Sequence, residues 1–183
     1  MLLIPDRPES DHGYFRPWFD SLGSRGVQLI YYDLLGMGRS ARPRSNQDID
    51  LDAWVAQAEA LRTGLGHERI SMFGHAWGGL IAQAYALSYA NHLSSLILCC
   101  PTPPVDEPDN ALTRLGEIAT PTLVMTGKDD WLCPPAQAER IHAWLPNSTL
   151  VIFDYSGHSP FSEEPDKFVA IVSNWIAGLT GRR

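Results

Sequence analysis

The sequence has 183 residues and a net charge of −7, and its hydrophobic share of 44% is typical of a globular protein. We therefore expect a single domain over residues 1–183, and the negative charge argues against nucleic acid as a partner. No stretch of about 18 apolar residues is present, which argues against a membrane span or a membrane partner. Three unpatterned cysteines and the lack of a leader sequence indicate a reducing, cytoplasmic location and no metal site.

Predicted strands and helices alternate along the chain. The strands are expected at residues 2–4, 27–33, 68–73, 93–100, 121–126 and 149–153. The helices are expected at residues 14–24, 51–65, 77–90, 111–118, 135–144 and 165–179. This alternation predicts an α/β fold with a mostly parallel, six-stranded, doubly wound sheet, and right-handed crossovers give it the strand order 2-1-3-4-5-6.

The predicted strand order reverses direction between the first and the third strand. In open α/β sheets, ligands bind outside the carboxyl ends of the strands at such a reversal. The loop after the first strand and the end of the third strand both lie there. We therefore expect a small-molecule or peptide ligand in a crevice at this switch point.

The third strand joins the following helix through the sequence Gly74-x-Ala76-x-Gly78. A sharp strand-to-helix turn of the form Gly-x-Ser-x-Gly is the nucleophile elbow, which lifts a reactive side chain above the sheet. Position 76 here is alanine, and a methyl group cannot act as a nucleophile. The sequence therefore predicts the elbow without its reactive group.

Residues 74–79 resemble the Gly-His-Ser-Trp-Gly-Gly elbow of the α/β-hydrolase family, especially its prolyl aminopeptidase (proline iminopeptidase) branch. Residues 33–40 are similar to the loop after that branch's fourth strand. Residues 127–134 resemble its acid loop, and residues 156–160 resemble its histidine loop. The resemblance implies an α/β-hydrolase core that hydrolyses amides or esters without a cofactor. It places the triad acid at Asp130, in preference to Asp129, and the triad base at His158.

The resemblance also aligns the family's oxyanion loop with residues 5–9. The oxyanion hole would use the backbone N–H of Trp77 and one N–H from this loop. The Asp6 carboxylate would repel a developing oxyanion, which Arg7 could partly compensate. Pro5, which has no N–H, and His75 are candidates for the substrate pocket, although His75 also fits a packed structural position.

Compared with the family, the chain is expected to lack two elements. These are the first two strands of the family's sheet and the helical cap, which would be inserted near residues 101–110. Without the extra strands, the predicted second strand becomes an exposed edge of the sheet. Exposed edges invite pairing with another chain, so we expect a possible homo-oligomer through this edge.

Three hypotheses about function stay open. The first is a serine hydrolase of the prolyl aminopeptidase type, disarmed in the laboratory by the replacement of its serine with Ala76. The second is a natural pseudo-hydrolase used for binding or assembly. The third is a lyase or cofactor-free oxygenase that uses His158 and Asp130 without a covalent step. The first two explain Ala76 directly, so we place them before the third.

Overall fold

The structure, a computed structural model, describes residues 1–6, 11–43, 49–103 and 114–180. The strands are β1 (Leu2–Ile4), β2 (Ile30–Tyr31), β3 (Ile70–His75), β4 (Leu93–Cys99), β5 (Thr122–Gly127) and β6 (Ser148–Phe153). The helices are α1 (Asp20–Gly23), α2 (Leu51–Gly64), α3 (Trp77–Ser88), α4 (Pro135–Trp144), α5 (Pro160–Glu163) and α6 (Pro165–Thr180). Short 3₁₀ turns lie at His12–Phe15, Ala90–His92 and Leu115–Glu117. Across the described ranges, every helix is too short or too polar to span a lipid bilayer.

These strands form one sheet in the order β2-β1-β3-β4-β5-β6, and every neighbouring pair is parallel. The predicted fold class and strand order are therefore confirmed. Both could be predicted because parallel neighbours need crossover helices, and right-handed crossovers leave few possible orders.

The sheet separates two apolar clusters, one on each face. Leu2 and Ile4 of β1 lie in the cluster that includes buried residues of α2, α3 and α4. Leu3, between them, lies in the other cluster, which contains Phe19 and the buried residues of α6. This alternation follows from the two-residue period of a strand, and each large buried side chain contributes about 1.5–3 kcal/mol. The two covered faces hold the strand ends in fixed relative positions.

The predicted helix at residues 14–24 is wrong in its extent. A 3₁₀ turn ends at Phe15, Arg16 is extended (φ −92°, ψ 146°), and α1 begins only at Asp20. A residue that precedes proline disfavours the helical region, so Pro17 interrupts the helix at Arg16. The apolar spacing of this segment was compatible with a helix, but the proline decides the backbone.

Two predicted strands are longer than the observed ones. The second strand, expected at residues 27–33, has ladder pairing only at Ile30–Tyr31, because its one neighbour, β1, is itself short. The fourth strand ends at Cys99 because Cys100 adopts a positive φ of 47°, although its N–H still donates to the Met125 carbonyl of β5 at 2.8 Å. Of the helix expected at residues 111–118, residues 111–113 lie outside the described ranges, Arg114 is helical and Leu115–Glu117 form a 3₁₀ turn. Most of the segment near residues 101–110, where the cap was expected to be inserted, also lies outside them.

The carboxyl ends of β3, β5 and β6 lie at the same edge of the sheet. Ala76 follows β3, Asp130 follows β5, and His158 follows β6. Because the strands are parallel, three segments that are distant in sequence meet at this edge.

Candidate active site

Ala76 occupies the turn between β3 and α3 in a strained conformation, with φ 49° and ψ −111°. Its N–H donates to the Cys99 carbonyl at 3.0 Å, and its own carbonyl accepts the Thr102 N–H at 3.0 Å. A non-glycine residue in such a region costs about 1–3 kcal/mol, and the surrounding structure must hold it there. The elbow therefore keeps its strained geometry although it presents only a methyl group.

The glycines at both sides of Ala76 are required by close backbone contacts. A Cβ on Gly74 would lie 2.4 Å from the Gly78 carbonyl oxygen. A Cβ on Gly78 would lie 2.3 Å from the Ile4 carbonyl oxygen and 2.6 Å from that of Pro5. The buried Pro5 thus packs directly against the first turn of α3, and no larger residue fits at this contact.

Asp130 and His158 form a hydrogen-bonded pair. Asp130 Oδ2 lies 2.8 Å from His158 Nδ1, and Asp130 Oδ1 accepts the N–H groups of Leu132 and Cys133, both at 2.9 Å. The Asp130 side chain is fully buried and the His158 side chain is 19% exposed. The carboxylate therefore fixes the orientation of an imidazole ring that solvent can still reach.

The pair favours the charged form of both partners. Burial alone would raise the pKa of Asp130, but the hydrogen bond from His158 holds it below its usual range. Burial alone would lower the pKa of His158, but the hydrogen bond to Asp130 raises it above its usual range. At neutral pH the site therefore contains an imidazolium next to a carboxylate.

Both described N–H groups that were predicted for the oxyanion hole are engaged within the protein. The Trp77 N–H donates to Asp6 Oδ1 at 3.1 Å. The Asp6 N–H donates to the Tyr14 hydroxyl at 2.9 Å. Arg7, the third residue predicted for the hole, lies outside the described residues.

His75 connects the oxyanion loop to the histidine loop. It is buried, with 2% of its surface exposed, and burial lowers its pKa to about 4, so the ring is neutral at pH 7. Its Nε2 lies 2.8 Å from the His158 carbonyl, which can only accept, so Nε2 carries the proton. Nδ1 must then accept from the Tyr14 hydroxyl, 3.0 Å away. His75, which was predicted for the substrate pocket or for a packed position, uses both ring nitrogens inside the protein.

The geometry agrees with a comparison against family models. The model described as "alpha/beta hydrolase fold" matches residues 1–115 and 107–165. The chain belongs to the α/β hydrolase fold family. Its elbow, acid loop and histidine loop follow one another in the order that this family uses.

Members and structural neighbours of the family agree with this assignment. A proline iminopeptidase of Clostridioides difficile is 24% identical over 262 residues, covering 96% of this chain and 89% of that protein. A serine-to-alanine mutant of a meta-cleavage product hydrolase from Pseudomonas fluorescens IP01, complexed with acetates, has a TM-score of 0.86 at 18% identity and covers 97% of this chain and 90% of its own. A malate-bound thermophilic esterase from Thermogutta terrifontis has a TM-score of 0.84 at 20% identity, covering 97% and 89%. At these identities the two structures establish the fold.

Two buried thiols lie beside the pair of Asp130 and His158. Ligand atoms of His75, Cys100 and His158 lie within 4.8 Å of one another, as do those of Asp130, Cys133 and His158. A hydrogen bond with Cys99 and burial raise the pKa of Cys100, and burial raises the pKa of Cys133 to about 12. The thiols are therefore protonated at neutral pH and, with the His75 nitrogens already engaged, these sets are poorly prepared to bind a metal.

Two aromatic side chains stand exposed next to the catalytic loops. Trp131 follows Asp130 and is 81% exposed, and Tyr155 precedes the histidine loop and is 86% exposed. Apolar side chains that stand singly on a surface are common, so these two do not by themselves mark a binding surface. They lie at the edge of the sheet where the family motifs meet.

Sequence analysis did not identify Tyr14 or Cys100 as site residues. Tyr14 was expected only as the first residue of the helix at 14–24, whereas its hydroxyl joins Asp6 to His75. The available signal was chemical, since a buried tyrosine needs a hydrogen-bond partner for its hydroxyl. Cys100 could have been placed near the site because β4, which it follows, is the neighbour of the elbow strand.

Proposed function

We propose that this chain is a hydrolase-fold protein of the proline iminopeptidase-like type that binds a ligand at the switch-point crevice but lacks nucleophilic catalysis. The observation that carries the proposal is Ala76 at the elbow, held in the strained conformation that presents a side chain above the sheet. Loss of the triad nucleophile lowers the rate of such an enzyme by about 10⁶-fold. The proposal applies equally to a serine replaced in the laboratory and to one lost naturally.

The ligand class is a small molecule or peptide with an amide or ester group. The relatives with printed names of proline iminopeptidase support this class, although they are only distantly identical. The alignment with the Clostridioides difficile protein extends over 262 positions, whereas this chain has 183 residues, so a substantial part of that protein has no counterpart here. This difference supports the proposed absence of a cap, and a chain without a cap would bind its ligand without the contacts that a cap supplies.

The proposal is tested by comparing the native chain with His158→Ala in assays of aryl esters and proline arylamides. We expect equal, buffer-level rates for both proteins, and no covalent adduct on residues 74–79 by mass spectrometry. A rate of the native chain that His158→Ala abolishes, or an adduct at the elbow, would contradict the proposal.

A second candidate is an enzyme that transfers a proton without a covalent step, such as a lyase or a cofactor-free oxygenase. The intact hydrogen bond between His158 and Asp130 is the observation that favours it. Its distinguishing result is turnover by the native chain of a substrate with an acidic C–H bond at a pH above the raised pKa of His158, where the ring is neutral and can accept a proton. This turnover would be lost in His158→Ala and in Asp130→Asn but retained in Ala76→Gly.

A further inference from the structure

The Asp6 carboxylate lies where a hydrolase of this fold would bind the oxygen of its substrate. An oxyanion-hole donor acts on an oxygen 2.7–3.1 Å away, by the usual geometry of such sites. Asp6 Oδ1 accepts the Trp77 N–H at 3.1 Å, which is within that range. Because the Trp77 N–H has one hydrogen atom, a substrate oxygen cannot form a full hydrogen bond with it while Asp6 Oδ1 is bound there.

The backbone of Asp6 is held independently of its side chain. Its N–H donates to Tyr14, whose hydroxyl donates to His75 Nδ1, and His75 Nε2–H donates to the His158 carbonyl. The direction of each hydrogen bond in this series is fixed, because the His158 carbonyl at its end can only accept. These hydrogen bonds therefore hold the backbone of Asp6 in the position from which its carboxylate reaches the Trp77 N–H.

The negative charge of the Asp6 carboxylate strengthens its hydrogen bond to the Trp77 N–H. A hydrogen bond from a backbone N–H to a carboxylate is roughly twice as strong as one to a neutral carbonyl. Asp6 also acts electrostatically on the neighbouring groups: after burial, its charge raises the pKa of Tyr14, and it contributes among the smaller effects at Cys133. The carboxylate that accepts the Trp77 N–H is therefore harder to displace than a neutral oxygen would be.

We propose that Asp6 is an internal ligand of the oxyanion position, so that the crevice at Ala76 accepts neither a carbonyl oxygen nor a carboxylate at the Trp77 N–H. This inference rests on the proposed function, because it assumes that the elbow descends from a hydrolase site. It adds that the loss of serine is not the only block, and that a ligand with an amide or ester group would bind the crevice without using the Trp77 N–H.

The first test uses acetate as the probe and the Trp77 amide as the reporter. In ¹⁵N-labelled protein, Asp6→Ala is expected to bind acetate with a shift of the Trp77 amide, at least about tenfold more tightly than the native chain. Asp129→Ala removes a nearby exposed carboxylate outside the hole and should behave as the native chain. Asp6→Asn keeps an oxygen at the same position, but a neutral one, so it should bind acetate more weakly than Asp6→Ala and more tightly than the native chain.

Two results of this titration would overturn the inference. One is a native chain that binds acetate at Trp77 as tightly as Asp6→Ala does. The other is equal binding by Asp6→Asn and Asp6→Ala, because the amide oxygen would then not occupy the position.

The second test separates this inference from the proposed function. Ala76→Ser with Asp6→Ala is expected to hydrolyse an aryl ester about 10²-fold faster than Ala76→Ser alone, which is the usual effect of one oxyanion-hole donor. Equal, clear activity of the two variants would overturn the role of Asp6 and leave the disarmed hydrolase intact. Inactivity of both, with acetate binding by Asp6→Ala, would support the role of Asp6 and contradict a latent hydrolase.

Discussion

The pair of Asp130 and His158 should contribute to stability as well as to any chemistry. The Asp130 pKa is lowered on folding, so its contribution is present above about pH 3.9 and is lost as the pH falls through the folded value. The His158 pKa is raised, so its contribution is full below about pH 6.5 and is lost as the pH rises through the folded value. The pair therefore stabilises most strongly between these limits.

We predict that Asp130→Asn lowers the free energy of unfolding by about 1.5–3 kcal/mol near pH 5.5, the usual value for a hydrogen bond to a charged group. Urea denaturation at several pH values measures the difference from the native chain, which should shrink as the pH falls below about 3.9 and as it rises above about 6.5. Asp129→Asn, in the same loop but exposed, is the control. A difference that does not depend on pH would contradict the assignment of the ion pair.

The Tyr14 hydroxyl should stabilise the protein although it touches no ligand. Tyr14→Phe keeps the ring among Phe15 and Phe161 but leaves the Asp6 N–H and His75 Nδ1 without their partner. We predict a loss of about 1–3 kcal/mol in the free energy of unfolding. Tyr31→Phe removes an exposed hydroxyl bonded to Asp20 and should cost much less. Equal losses of unfolding free energy in the two variants would argue against the hydrogen bonds that link Asp6, Tyr14 and His75.

Contacts at the residue scale were the least predictable part of the site. The motifs nominated four residues: Asp6 after β1, Trp77 at the start of α3, Asp130 after β5 and His158 after β6. The bond between Asp6 and Trp77 joins residues 71 positions apart, and that between Tyr14 and His75 joins residues 61 apart. Such contacts depend on side-chain directions that a linear motif does not contain.

At the scale of elements, the packing of the elbow helix against β1 sets the strictest requirement. Gly78→Ala would place a Cβ 2.3 Å from a backbone oxygen, which cannot move aside as a side chain could. We predict destabilisation of at least about 1–3 kcal/mol, measured by thermal or urea unfolding. Gly178→Ala in α6, where a Cβ meets nothing within 4 Å, should stabilise by about 0.5–1 kcal/mol. A Gly78→Ala variant with the same free energy of unfolding as the native chain would contradict the close packing at the elbow.

Elements were predicted well where one local rule governed them. The helix Pro135–Trp144 was predicted to the residue because proline at its first position and apolar spacing agree. The extent of the helix predicted at residues 14–24 was wrong because the apolar spacing favours a helix there, whereas Pro17 keeps Arg16 out of the helical conformation. The predicted length of β2 was wrong for another reason: the number of paired residues in β2 depends on the length of β1, which lies elsewhere in the chain.

At the scale of the whole molecule, one edge of the sheet stays open. The Ile30 N–H donates to the Met1 carbonyl at 2.9 Å, and within the described ranges no strand pairs with the other side of β2. The Tyr31 N–H, which alternates with that of Ile30, therefore points to the free edge. The charge of −7 opposes self-association but is screened by salt.

We predict dimerisation through this edge at high protein concentration, favoured by added salt. Sedimentation velocity over a concentration series measures it. Tyr31→Pro removes the free N–H and should prevent the dimer, whereas Tyr31→Phe retains that N–H and should not. A monomer at every concentration, or a dimer that survives in Tyr31→Pro, would rule out pairing at β2.

The exposure of Trp131 gives the molecule an optical reporter. An indole that is 81% exposed emits at long wavelength, and it stands one residue from the buried carboxylate at the crevice. Anything that fills the crevice and sheds water from that ring should shift its fluorescence to the blue, and subtracting the spectrum of Trp131→Phe isolates its emission from the other tryptophans. Compound libraries could thus be screened on the unlabelled protein before any substrate is known.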